Sequence, residues 1–280
     1  MRITIITHQQ FDLDAAVSAW LLLLKHPEAE VEFANTTSDD NSAIVSRHNP
    51  PETYVVDIKG SPLDKSHDEA DGQCSSRIVY EELIRPGRDI PEVLSALEDM
   101  VALSESQDKT GKLFPPYLVP FSIVGFIKGA QSIGWRDEML WPWVKRQLDF
   151  SYQFLYDHHV ARQNYLQMRQ AQGEVQGYTV DYIRGGGTAA TDVAYNVFNV
   201  DIVVYEDPKT FNLGAIRRNE CPLHLGEKLK RFVSSRPEPE RSRWFSHPAG
   251  FIVAHGTQKF PATEPAGVTG RELFEAICAP

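Results

Sequence analysis

Residues 2–26, "RITIITHQQFDLDAAVSAWLLLLKH", decide the fold. The run RITIITH is rich in β-branched residues and reads as a short strand. The segment DLDAAVSAWLLLLKH has the length and alanine/leucine content of a helix. Extended stretches AEVEFANT and TYVVDIKG follow, each bounded by turn formers. CSSRIVYEELI reads as a helix opened by serine, and IPEVLSALEDMVALSESQD as another. Strands alternating with helices predict an α/β domain with a mainly parallel sheet. Such sheets carry their chemistry in the loops at the carboxyl ends of their strands.

Three prolines in LFPPYLVPFSIVGFIKG end this first domain, set at residues 1–130. Residues 131–175 form a connecting segment, helical in composition from Asp137 to Gln172. Residues 176–280 then form a smaller α/β domain, with YTVDYI, the glycine run RGGGT, the helix AATDVAYNVF and a hairpin in VDIVVYEDPKTFNLGAIRR. The apolar GFIVAHG and a final helix GRELFEAICA complete it. The expected architecture is α/β throughout: an N-terminal parallel-sheet domain, a long connecting helix and a smaller C-terminal α/β domain.

At 280 residues, 42% hydrophobic and 24% charged, the chain has the composition of a soluble globular protein. A net charge of -10 provides no global field for a polyanion, which argues against duplex nucleic acid and leaves room for a small phosphorylated ligand. Cys74, Cys221 and Cys278 form no CxxC pair, which argues against a disulfide framework or a zinc–thiolate site. The first residues read as a strand and not a signal peptide, and AWLLLL is far too short to span a membrane. The expectation is a cytoplasmic protein with no membrane partner.

The candidate chemistry lies at the strand ends. His8, Asp12 and Asp14 follow the first strand, Asp57 ends TYVVD, Ser66-His67-Asp68-Glu69 lies just beyond, and Asp108 stands directly after a helix. Taken singly, such residues are solvated loop side chains or helix caps. Their recurrence at the strand ends of one α/β unit points to a metal site. Carboxylates with one or two imidazoles suit Mn2+ or Mg2+ better than thiophilic metals. Two such ions, about 3.5–4 Å apart, lower the pKa of a water and clamp a phosphoryl group.

These residues resemble the motifs of the DHH phosphoesterase superfamily, whose branches include RecJ-type exonucleases, nanoRNases and Myg-type nucleases. Its first motif, a histidine, three residues and Asp-x-Asp before a small-residue helix, is matched by His8, Asp12, Asp14 and AAVSAWLL. Its strand-end aspartate is matched by Asp57, and its later aspartate by Asp108. The resemblance implies that His8 and Asp12 hold one metal, that Asp14 and Asp108 hold another, and that Asp57 bridges them. The helix following the family's Asp-His-His triplet is matched almost letter for letter by CSSRIVYEEL, which places the third motif at Ser66-His67-Asp68. His67 then stands as a metal ligand, and Asp68 replaces the histidine that faces the phosphate. In the C-terminal domain Arg217 (or Arg218) and His247-Pro248-Ala249-Gly250 resemble the associated substrate domain, so Arg217, His247 and Gly250 are expected to bind substrate. Trp244-Phe245-Ser246 stand where the family has glycines.

The resemblance thus implies a two-domain phosphoesterase with two divalent ions, Mn2+ first and Mg2+ as the alternative, acting on a short oligonucleotide or nucleotide, with Asp57 and Asp68 in catalytic roles. It also allows a homodimer. The departures at Ser66 and Asp68 keep a second expectation open, a catalytically weak member that binds nucleotide or protein. Asp157-His158-His159 spells the family name but sits inside a helical stripe, where adjacent histidines diverge by about 100°, and reads as coincidence. RGGGT reads first as a turn into a helix and second as an anion cradle. Tyr152, Tyr156 and Tyr165 read as packing residues before base-stacking ones.

Overall fold

The computed structural model describes residues 2–36, 41–65, 72–111, 115, 118–238, 240–257 and 262–279. Ser66, His67 and Asp68 of the expected third motif therefore lie outside the described residues. The chain divides into two compact units, Met1–Tyr156 and Asp157–Pro280.

The first unit opens with β1 (Thr4–His8), α1 (Leu13–Lys25), β2 (Glu30–Ala34), α2 (Asn41–Val45) and β3 (Thr53–Val55). The strands pair in the order β2-β1-β3, all parallel. The register Ile6 to Val55 is extended by a bond from Val56 N to Ile6 O, so His8 and Asp57 leave the same sheet edge two residues later. The first ten residues of α1 are all buried, and their near-continuous apolar run makes α1 a central helix, with no solvent face there. Around it lie α3 (Ser75–Ile78), which passes into a π-helical turn (Val79–Ile84), then α4 (Pro91–Thr110), α5 (Ile123–Ser132) and α6 (Asp137–Met168). Trp20 of α1 is fully buried, and its indole N–H donates to Asp149 Oδ1 of α6 at 2.9 Å.

Two boundaries differ from the sequence reading. Asp108 lies in the last turn of α4 instead of after it. The helix runs on to Gly111, the residue that takes the left-handed cap (φ 63°), with its N–H bonded to Gln107 O. The helical reading to Gln172 is also too long, because α6 ends at Met168 and Arg169–Val175 is a strand, β4. RQAQ has a helix former's composition, but β4 is captured by pairing with β5 (Tyr178–Arg184) across a two-residue turn. Gln176 and Gly177 take φ of 52° and 84°, the twist that suits a tight hairpin.

In the second unit α7 (Gly187–Asn196), β6 (Ile202–Glu206), β7 (Leu213–Arg217), α8 (Leu225–Lys228), α9 (Lys230–Ser234), β8 (Trp244–Ser246), β9 (Ile252–His255) and α10 (Gly270–Cys278) follow. The sheet order is β4-β5-β6-β7-β9-β8, parallel only between β5 and β6. Alternation along the strands sends side chains to two faces. Val180, Tyr182, Ile202 and Val204 pack with Leu273, Phe274 and Ile277 of α10. Ile183 and Val203 pack with Tyr165, Ala190 and Val193. The molecule is α/β, with a parallel sheet in one unit and a mixed sheet in the other. Among the described residues no helix is long and apolar enough to cross a membrane.

The β4–β5 turn is open to test. Asn occupies the left-handed region more readily than Gln, so Gln176→Asn is expected to raise the thermal midpoint slightly, by about 0.5 kcal/mol of stability. Gly177→Val should lower it by about 1–2 kcal/mol, both read from thermal melts of the full chain.

Candidate metal centre

His8 and Asp57 meet because parallel strands deliver their carboxyl ends to one edge. His8 Nε2 lies 3.0 Å from Asp57 Oδ2, and His8 Nδ1 lies 2.9 Å from Gln9 O. With an acceptor at each nitrogen, the metal-free ring carries two protons. Burial opposes that charge on His8, but the hydrogen bond and charge of Asp57, with Gln9 O and Asp12, outweigh it and raise the pKa to about 9. Burial pushes the Asp57 carboxyl up to about 7; the His8 hydrogen bond pulls against this, and the charges of Asp14 and Asp12 add to it. Asp57 also holds a left-handed backbone (φ 50°), which costs a non-glycine residue energy, and its N–H donates to Ser75 Oγ at 3.0 Å.

Asp12 is the N-cap of α1. One carboxylate oxygen, Oδ1, accepts from Asp14 N at 2.9 Å and Ala15 N at 3.1 Å, leaving Oδ2 without a hydrogen-bond partner among the described residues. One ligand atom each from His8, Asp12 and Asp57 lies within 4.8 Å of the others, and this is the one such grouping of three among the described residues.

Asp14 points elsewhere. It is only 2% exposed, and its carboxylate accepts from Ser75 N (2.8 Å), Ser76 N (3.2 Å), Ser76 Oγ (2.5 Å) and Ser104 Oγ (3.0 Å). Cys74 supplies no side-chain cap to α3, so Asp14 serves that helix start from another helix. Burial raises the Asp14 pKa, against the hydrogen bonds from Ser76 and Ser104 and with the repulsion of Asp12.

A cavity of about 290 Å³ opens beside the cluster, lined by Asp12, Asp14 and Asp108 together with Gln107, Lys128 and Gln131. Asp108 thus shares the cavity but stands outside the three-residue grouping. Ser75, Ser76, Ser104, Lys128 and Gln131 were absent from the sequence-based candidates. Ser75 and Ser76 stand in the CSSRIVYEEL motif, the one local signal that could have found them. Gln131 is set in place by a bond from Nε2 to Phe11 O at 2.9 Å.

In the second unit, the two terminal nitrogens of Arg217 donate to backbone, to Arg218 O (2.9 Å), Asn219 O (3.4 Å) and Ala249 O (3.2 Å), while its buried Nε has no hydrogen-bond partner among the described residues. Arg218 is likewise tied, to Asn199 Oδ1 and Tyr195 O. Arg217 therefore braces the His247–Gly250 loop. His247 Nδ1 accepts from Ala249 N at 3.1 Å. His247 lines a second cavity of about 380 Å³ with His224, Lys230, Ser234 and Trp244. Gly250 has φ 68°, and a Cβ there would stand 2.3 Å from His224 Cγ, so no other residue fits. Asp157, His158 and His159 lie within α6, where His158 Nε2 is 3.4 Å from Asp192 Oδ2 of α7.

No protein-family model matches the chain, and no curated protein does. Among solved structures, an uncharacterized protein from Helicobacter pylori G27 aligns at 13% identity over 99% of each chain, with a TM-score of 0.38. The pGpG-specific phosphodiesterase PggH from Vibrio cholerae aligns at 10% identity over 90% of this chain and 92% of its own, TM-score 0.26. RecJ from Thermus thermophilus, in complex with Mg2+, aligns at 14% identity over 98% of this chain and 48% of its own, TM-score 0.33.

The His8–Asp57 pair gives the metal-free protein a defined pH response. A histidine raised from 6.5 to about 9 contributes stability that is fully present below pH 6.5 and lost as pH rises through 9. Asp57, raised from 3.8 to about 7, adds a decline across that lower range, because the folded state holds its proton longer. Thermal midpoints of chelator-treated protein are expected to fall steadily from pH 5 to 9, and His8→Gln should flatten the slope above pH 6.5. A midpoint that rises with pH would contradict the assignment.

Proposed function

We propose that the chain is a metal-dependent phosphoesterase of the DHH type, hydrolysing a phosphodiester or phosphomonoester of a short oligonucleotide or nucleotide. The observation that carries this reading is the convergence of His8, Asp12 and Asp57 ligand atoms within 4.8 Å. One imidazole and two carboxylates fit Mn2+ or Mg2+. His8 can donate Nδ1–H to Gln9 O and present Nε2 once its second proton leaves, the orientation in which a ligating histidine is usually held. Asp12 offers the oxygen its capping role leaves over.

A bound divalent ion would lower the pKa of a water and offset phosphoryl charge. Lys128 brings an ammonium to the same cavity, suited to a non-bridging phosphate oxygen, and Gln131 and Gln107 bring amides. A second ion would take Asp14 and Asp108 beside the shared Asp57, and His67 where the motif continues. It would compete with the four hydrogen bonds on Asp14, three on Oδ1 and one on Oδ2, so the number of ions bound is itself diagnostic. Asp68 in the third motif has no proton to offer phosphate when ionised, which bears on rate or substrate choice. Arg217, His247 and Gly250 are carried forward as the substrate-recognition residues, Arg217 through the loop it braces. The four hydrogen bonds on Asp14 also favour the second reading, a nucleotide- or protein-binding member with little catalysis.

Metal analysis with a Mn2+-dependent screen over bis-p-nitrophenyl phosphate, dinucleotides, pAp and pyrophosphate separates the readings. Hydrolysis is expected, with Asp57→Asn weakening Mn2+ binding at least tenfold and lowering the rate about 100-fold or more. Activity indifferent to Asp57→Asn, or no metal bound, would overturn the enzyme reading. A large gain from Asp68→His on a standard substrate would mark the chain as a weakened enzyme.

A further inference from the structure

The turn His247–Gly250 in the second unit is pinned by His224, a residue absent from the sequence-based candidates. Gly250 N donates to His247 O at 2.8 Å, Pro248 and Gly250 take the second and fourth places, and Ala249 stays out of the left-handed region. These are the marks of a type I turn. Its middle peptide, Pro248–Ala249, is the part that can flip without breaking the closing bond, at the cost of a left-handed Ala249.

A histidine holds each end of that peptide. Pro248 O lies 3.1 Å from His224 Nε2, and Ala249 N donates to His247 Nδ1 at 3.1 Å. A carbonyl can only accept, so His224 Nε2 is the donor. The peptide is planar, with C=O and N–H pointing opposite ways. Gripping its oxygen therefore fixes the direction of its N–H, and with it the His247 ring. His224 is itself immobilised: its Nδ1 accepts from Glu227 N at 3.1 Å as the N-cap of α8, and a Cβ on Gly250 would stand 2.3 Å from Cγ of its ring. A Cβ on Gly226 would stand 2.5 Å from Ser246 Oγ, so glycines on both sides let α8 and this segment meet. With both nitrogens engaged, His224 has no polar atom to give a ligand, although it lines the second cavity with His247. Its contribution is direction. On the reading of His247 as a substrate-recognition residue, we propose that His224 is a positioning residue, which orients the His247 ring at that cavity through the Pro248–Ala249 peptide.

The two ring nitrogens are separable by substitution. Asn puts a capping oxygen where Nδ1 stands but is too short to reach Pro248 O, whereas Gln carries an amide N–H to the Nε2 position and caps poorly. In the full chain, His224→Asn is expected to keep the thermal midpoint and to speed amide exchange of Ala249 about tenfold. It should also raise the KM of a dinucleotide about fivefold at constant kcat, the mark of lost binding. His224→Gln should do the reverse, lowering the midpoint while Ala249 exchange and KM stay at the wild-type level. Ala249 exchange, followed by NMR, needs no turnover, so it decides the positioning role even where the substrate screen finds no hydrolysis. Unchanged Ala249 exchange in His224→Asn, or a His224→Gln protein as impaired in exchange as His224→Asn, would overturn the inference. Faster exchange with an unchanged KM would overturn its link to recognition.

Discussion

The site rests on one buried carboxylate. Taking an ion such as Asp14 out of water costs several kcal/mol unless hydrogen bonds replace the lost solvent. Here the replacements come from two elements, Ser75 and Ser76 at the start of α3 and Ser104 on α4. Asp14 therefore ties three helices together beneath the sheet edge. The tie extends upward, because Ser75, whose N–H is held by Asp14, offers its hydroxyl oxygen to Asp57 N. Asp57 in turn grips His8. A single polar chain thus runs from the interior of α1 to the candidate ligands, and loss of Asp14 would leave two backbone N–H groups and two hydroxyls to find other partners.

Strain gathers at the same place. Asp57 and Gln10, neither of them glycine, both take left-handed backbones, with φ of 50° and 54°. Gln10 is held there by a bond from its N–H to Asp137 Oδ2 at 2.9 Å, and Asp57 by the bonds just described. Such conformations persist only where the surroundings over-determine them, and they cluster at sites where a side chain must be aimed. Both residues border the His8–Asp12–Asp57 grouping: Gln10 lies in the loop that carries His8 and Asp12, and Asp57 is itself a member.

What the sequence made legible was local. The strand-then-helix reading of residues 2–26 holds because β-branching and an Asp cap act within a few residues, and β1 and α1 form where it places them. The parallel register, and so the meeting of His8 with Asp57, follows from that α/β alternation. Other partners are invisible at short range: Ser104 is 90 residues from the Asp14 it serves, and Lys128 reaches the cavity only because α5 folds back there. The errors have the same origin. RQAQ reads as helix by composition but is taken by β5 in tertiary pairing, and Asp108 read as loop because the stop signal, Gly111, stands three residues beyond it.

Four aspartates border one small cavity or its rim, in a chain that is already acidic. Like charges this close must be protonated, hydrogen-bonded or offset by a cation. Asp14 is answered by serines and backbone N–H groups. Asp57 is answered on one oxygen by His8, at the cost of a proton that the ring would not otherwise keep at neutral pH. Asp12 is answered on one oxygen by the start of α1. Each of Asp12 and Asp57 thus keeps a second oxygen, that of Asp12 lying beside the His8–Asp57 bond, where a proton now serves to neutralise the pair. A divalent ion seated there would take over that role with twice the charge and would free His8 Nε2 to ligate. The hydrogen bonds that stabilise this edge of the fold are therefore the same ones that leave one oxygen of Asp12 beside the His8–Asp57 pair.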